Sequence, residues 1–148
     1  MTKDELAAQT RQLFEAWNSH DAQAVAQFYT GGATVRDSTD PDNAATGTDA
    51  IAERARMILG GFSDAKLEVL ATCIDGNRGC TEWRFTGTHD GEFLGVPASG
   101  RPVDNIGVSV DEFDDTGKIV SETGYWDVAR FLRQSGALPE AATTGATS

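Results

Sequence analysis

Apolar residues recur at helical spacing in the first part of the chain and at strand spacing after Lys66. Leu6, Thr10, Leu13, Phe14 and Trp17 fall along one side of a helix predicted over 4–20, with Arg11, Gln12 and Glu15 elsewhere. Asn18-Ser19-His20-Asp21 breaks that helix, and Ser19 or Asp21 can cap a second one over 22–29, which Gly31-Gly32 stops. A short strand follows over 33–37. Residues 38–46 contain Asp40-Pro41-Asp42-Asn43 and read as a loop. Thr48 or Asp49 caps a third helix to about Leu59, ended by Gly60-Gly61.

From Lys66 the period changes to two. The segment 66–74 carries apolar groups on both faces, as a largely covered sheet requires. Further strands are predicted over 79–89, 102–113 and 119–127, with a Gly- and Pro-containing loop over 91–100, a turn at Asp114-Asp115-Thr116-Gly117 and a final helical turn or two over 128–134. Helices first and hairpin-connected strands afterwards make an α+β pattern, in which a strongly curved, mainly antiparallel sheet wraps the three N-terminal helices and encloses a cavity. Residues 1–136 read as one domain. Residues 137–148, with no bulky apolar side chain after Leu138, read as a disordered tail.

Composition narrows the function classes. Among 148 residues, 23 acids oppose 12 bases, a net charge of −11, and the lysines are Lys3, Lys66 and Lys118 alone. A nucleic-acid or anionic-membrane surface needs clustered bases, so neither partner is expected. No stretch approaches the roughly 20 apolar residues that cross a bilayer, and a soluble cytoplasmic protein is the expectation. Cys73 and Cys80 flank the turn Asp75-Gly76-Asn77 and are expected to be reduced thiols facing each other across a hairpin. They lack further ligands for a metal, since His20 and His89 are isolated in sequence. No dinucleotide fingerprint, phosphate loop or Gly-x-Ser-x-Gly elbow occurs.

The stretch Gly87-Thr88-His89-Asp90-Gly91-Glu92-Phe93-Leu94-Gly95-Val96-Pro97-Ala98-Ser99-Gly100-Arg101 resembles the SnoaL-like polyketide cyclases of the NTF2-like superfamily. Ala16-Trp17-Asn18-Ser19-His20-Asp21 resembles the end of that family's first helix. Gly117-Lys118-Ile119-Val120-Ser121-Glu122, Asp127 and Phe131-Leu132-Arg133-Gln134-Ser135-Gly136 resemble its last strand and closing segment. The resemblance implies a cone with a deep, mostly apolar pocket. It also implies an intramolecular aldol condensation without metal or cofactor, a pocket aspartate as general acid/base, and a homodimer formed through the outer sheet face. Relatives isomerise steroids, open epoxides or dehydrate substrates, so the fold alone does not fix the reaction.

An aldol closure needs a carboxylate or imidazole beside a proton next to a carbonyl, and an apolar surround makes a carboxylate a better base. The signal is an acid set in an apolar strand. Glu122 shares a parity with Val120, Gly124 and Trp126 and is either that acid or a salt-bridged strand acid. The family pattern follows this acid with a basic or aromatic residue, where this chain has Thr123-Gly124. Asp127 is either the catalytic acid or the cap of the segment starting at Val128. Those two positions are what the C-terminal motif allows. Asp104 shares a parity with Ile106, Val108 and Val110 and faces either the pocket or solvent. Asp37 lines the cavity mouth or caps a loop. His89 is a general acid/base or a hydrogen-bonded structural histidine. Glu82 and Arg84 pair within the pocket or lie on a dimer surface. Trp17, Tyr29, Phe62, Trp83 and Trp126 suit a pocket for a small, hydrophobic, polyketide-like substrate, or simply pack the core. Phe93-Leu94-Gly95-Val96-Pro97 forms a lid or a dimer contact. Three functions stay open: an enzyme on a hydrophobic carbonyl compound, a small-ligand binding protein, and a dimeric scaffold.

Overall fold

The computed structural model describes residues 1–139; of the tail expected over 137–148, residues 140–148 lie outside the described residues. Helix α1 (Lys3–Asn18) opens on a capping box: Thr2 Oγ1 accepts from the Glu5 N–H at 3.1 Å and Glu5 Oε2 accepts from the Thr2 N–H at 2.7 Å. Helix α2 (Ala22–Ala26) is capped by Asp21 and is shorter than expected. Tyr29, predicted helical, begins strand β1 (Tyr29–Asp37), and Gly31-Gly32 lies inside that strand. The Ile119 N–H donates to the Phe28 carbonyl at 2.9 Å, so strand pairing claims this backbone before the helix can continue.

The predicted loop over 38–46 is also corrected. Strand β2 (Asp40–Thr46) pairs antiparallel to β1, from Thr34↔Thr46 to Asp37↔Asp40. Its side chains are mostly exposed, and the ladder is made by backbone groups that hydropathy does not report. Pro41 is tolerated because β2 is an edge strand. Helix α3 (Thr48–Gly61) follows, with Gly47 rather than Thr48 or Asp49 at its N-cap, at φ 88°. Gly60 and Gly61 are the last helical residues.

Strands β3 (Lys66–Asp75), β4 (Arg78–Thr88), β5 (Pro102–Phe113) and β6 (Ile119–Trp126) lie within one or two residues of the predicted bounds, and helix α4 (Val128–Gln134) closes the domain. The sheet order is β2-β1-β6-β5-β4-β3, with β1 and β6 parallel and every other pair antiparallel. This is the expected mixed, mainly antiparallel sheet. Helices α1 to α3 cover its inner face. Ala52 and Ala55 of α3 are buried with Val35 of β1, and small side chains there let helix and strand approach closely. Asn18 pins the end of α1 to β3, donating to the Leu67 carbonyl at 2.8 Å and accepting from its N–H at 2.7 Å.

Cys73 and Cys80 stand opposite each other in the β3–β4 register as exposed free thiols. No helix among the described residues is long and apolar enough to cross a membrane, and none of their His, Cys, Asp and Glu side chains group in threes to hold a metal.

Candidate active site

The inner face of the sheet, α1 and α3 line a cavity of about 120 Å³ that is partly open to solvent. Its helical wall is Leu13, Phe14 and Trp17 of α1 with Arg54 and Ile58 of α3. The sheet supplies Trp83, Asn105, Ser109, Glu122, Gly124 and Trp126, while Phe62, Phe93 and Phe131 close one end. The lining is apolar except for Asp37, Arg54, Asn105, Ser109, Glu122 and the indole N–H groups. A hydrogen bond against those apolar walls is stronger than it would be in bulk water.

A bulge aims Glu122 inward. Glu112 pairs with Ser121 but Phe113 pairs with Ile119, so Val120 is skipped. The side-chain alternation reverses there. Val120 is exposed, whereas Glu122, Gly124 and Trp126 face the cavity. The parity shared by Val120 and Glu122 in the sequence is not shared in space.

The inner face of β5 corrects a second expectation. Val103, Asn105, Asp111 and Phe113 are buried, while Ile106 is 57% exposed. The apolar parity Ile106, Val108 and Val110 is thus on the outer side, and Asp104 lies there with it. Arg84 binds Asp104 through two hydrogen bonds of 2.9 and 2.6 Å, which hold its carboxyl below the usual range. Asp104 is outside the cavity, and Arg84 pairs with it across the outer face rather than with Glu82.

Asp111, which the sequence reading missed, stands directly opposite Glu122 in the β5–β6 register. Opposed side chains start about 5 Å apart at Cβ. Burial pushes the Asp111 carboxyl well above the usual carboxylate range, and the negative charge of Glu122 pushes it further. Asp111 Oδ1 has no donor among the described residues. Of the two facing acids, Asp111 is therefore the one whose surroundings favour holding a proton. Tyr29 completes the group. Its hydroxyl donates to Glu122 Oε1 at 3.0 Å and Oε2 at 3.1 Å, and burial, then the charge of Glu122, keeps the phenol protonated far into the alkaline range.

The remaining predicted residues separate clearly. Trp17, Asp37, Phe62, Trp83 and Trp126 line the cavity. Tyr29 is buried behind Glu122 rather than in the lining. Asp37 accepts from Trp126 Nε1–H at 2.9 and 3.1 Å and pairs with Arg54 at 3.6 Å. His89 is fully buried among Phe62 and Phe131, outside the lining. Its Nδ1 bonds Ser99 Oγ at 2.9 Å and its carbonyl accepts from Ser99 and Gly100, so it ties the 89–101 loop together. Asp127 caps α4, accepting from the Arg130 N–H at 2.9 Å. Replacing Asp127 by alanine is expected to lower stability by about 1 kcal/mol and to leave turnover intact. Urea unfolding and the exchange assay described below check both halves.

With this geometry the chain can be set beside known proteins. A family model of SnoaL-like polyketide cyclases matches residues 7–135. The chain belongs to that family. This SnoaL-like protein also resembles AclR, a candidate hydroxylase from Streptomyces galilaeus, at 25% identity and a TM-score of 0.84, over 99% of this chain and 90% of the other. A candidate SnoaL-like polyketide cyclase from Jannaschia sp. CCS1 matches at 22% identity and 0.82, over 92% and 94%. IdmH, a candidate polyketide cyclase from Streptomyces antibioticus, matches at 24% and 0.75, over 88% and 98%. No curated protein matches the chain. The SnoaL-like domain has the NTF2-like architecture that the sequence resemblance implied, with the acid pair set on β5 and β6.

Proposed function

We propose that this SnoaL-like protein catalyses proton transfer next to the carbonyl of a small hydrophobic compound, in its most specific form the intramolecular aldol closure of a polyketide-like chain. The observation that carries the proposal is Glu122, a carboxylate facing the mostly apolar cavity with the buried Asp111 carboxyl opposite it and the Tyr29 hydroxyl donating to it; the cavity's other carboxylate, Asp37, is engaged by Trp126 Nε1–H and Arg54. Glu122 takes a proton from the carbon beside the carbonyl, and the bond's electron pair moves to the carbonyl oxygen as an enolate. The enolate carbon forms the new C–C bond at a second carbonyl carbon, and Glu122 returns the proton to the resulting alkoxide. Atoms and charge balance without a further reagent. Tyr29 donates to Glu122 and holds it in place, with Asp111 directly opposite; the aromatic walls keep the chain folded near its reacting geometry.

Cavity size constrains the substrate. About 150 Å³ is enough for one benzene ring, and ligand pockets commonly run to about 300–1,000 Å³. The space of about 120 Å³ is slightly below the benzene figure, so a single ring already fills it, and substituents on the ring have to displace the Phe93 end.

A second reading, hydroxylation, rests on the likeness to AclR. Both readings begin with enolate formation; in the second, dioxygen adds at the enolate carbon to give a hydroperoxide, which an added two-electron reductant such as a thiol cleaves to the alcohol and water. The test is deuterium uptake in D2O by small enolisable ketones, led by phenylacetone and followed by NMR. Protein-dependent exchange supports the proposal. Saturable binding without exchange would replace it with the ligand-binding reading, and oxygen incorporation would select hydroxylation.

A further inference from the structure

We propose that the space over Gly124 is the seat of the substrate's carbonyl oxygen, held there by the hydroxyl of Ser109. This rests on the carbonyl reading above and adds the recognition element that reading lacks.

Three residue pairs follow one another along β5 and β6 on the cavity side: Asp111 with Glu122, Ser109 with Gly124, and Gly107 with Trp126. Two of the three contain glycine, for opposite reasons. A Cβ on Gly107 would meet the Trp83 ring at 2.4 Å, so its missing side chain is replaced by an indole. A Cβ on Gly124 would meet nothing within 4 Å, and Gly124 is not among the glycines with positive φ. Neither backbone conformation nor close packing requires a glycine there. What its absent side chain leaves is open volume in the cavity wall, two residues from Glu122 on the same strand.

That volume lies beside an unspent donor. Ser109 Oγ accepts from Trp83 Nε1–H at 3.1 Å, which orients its lone pairs, and its own proton goes to no acceptor among the described residues. A hydroxyl lining an apolar cavity favours a ligand acceptor, since an unmade hydrogen bond there costs more than it would in water. A carbonyl oxygen over Gly124 takes the Ser109 proton in a hydrogen bond, and its α-carbon, two bonds away, faces Glu122. As the enolate forms, negative charge grows on the oxygen that Ser109 contacts, so the bond strengthens where it assists the reaction.

The test uses two isosteric probes, 4′-fluoroacetophenone and 4-fluoro-α-methylstyrene, titrated against the protein by fluorine NMR. The wild type is expected to bind the ketone about three- to tenfold more tightly than the alkene, the range of one net hydrogen bond. Ser109→Ala should erase that preference while keeping the alkene's affinity. Gly124→Val should weaken both probes by at least about tenfold, yet unfold within a few degrees of the wild type, since its side chain points into open space. Equal wild-type affinities, or no binding of either probe, would overturn the oxygen seat. Unchanged binding by Gly124→Val would overturn the slot. Deuterium exchange without any ketone preference would leave the proposed function standing and remove this inference. Ketone preference without exchange would do the reverse.

Discussion

Glu122→Gln is expected to lower protein-dependent deuterium exchange by about 10²- to 10⁴-fold, the usual contribution of one positioned general base. The amide matches the carboxylate in shape, so the cavity keeps its volume. Tyr29 can still donate to the amide oxygen, and the amide N–H can donate to Asp111 Oδ1, which otherwise has no donor. The carboxylate that helps raise the Asp111 carboxyl also disappears, so stability should hold or rise. A large rate loss on an intact fold is therefore the signature of chemistry rather than of damage. Tyr29→Phe should give a smaller loss, because it removes a hydrogen bond to the base and not the base itself. If Glu122→Gln exchanges ketones at the wild-type rate, the base lies elsewhere and the proposed function fails with it.

The fold was largely legible because its information is periodic. The β4–β6 bounds follow from alternation and turn residues, and the family resemblance at 87–101 marks a loop whose backbone His89 ties together. Edge strand β2 was not legible, because its polar side chains carry no pattern and its stability comes from backbone pairing with β1. The site was half legible. Aromatic residues lining a cavity resemble aromatic residues packing a core, and here Trp17, Trp83 and Trp126 do both. Asp111 was missed because alternation on β5 points the wrong way: its more apolar parity faces out and its polar parity faces in. The available signal was the pair of bulky apolar residues Val103 and Phe113 framing Asn105, Ser109 and Asp111. A polar set bracketed by core residues on one parity is what a functional inner face looks like. The bulge at Val120, which turns Glu122 inward, depends on the register with β5 and has no local mark.

Asp111→Asn carries the second large effect, on the pH dependence of stability. An unfolded aspartate titrates near about 3.9. In the folded protein burial, then Glu122, raises Asp111 well above that. Below the unfolded value both states hold the proton and Asp111 contributes no slope. Between the unfolded and folded values the unfolded chain has released a proton that the folded chain retains, so rising pH favours unfolding, by up to about 1.4 kcal/mol per pH unit. Above the folded value the slope vanishes again. The neutral amide cannot titrate, yet it still offers an N–H to Glu122 in place of the acid proton. Wild-type stability relative to the variant should therefore fall steadily as pH rises from about 4 through this window, leaving Asp111→Asn the more stable protein at neutral pH. Urea unfolding of both proteins across that range measures the difference directly, and subtraction removes the exposed carboxylates common to both. Rate profiles should separate in the same sense. Loss of the Asp111 proton puts two charges side by side and ends the wild-type plateau on its alkaline side, whereas the variant has no such proton to lose. Parallel stability curves would mean that Asp111 is ionised in the folded protein, and the distinction between Asp111 as the protonated partner and Glu122 as the base would fall.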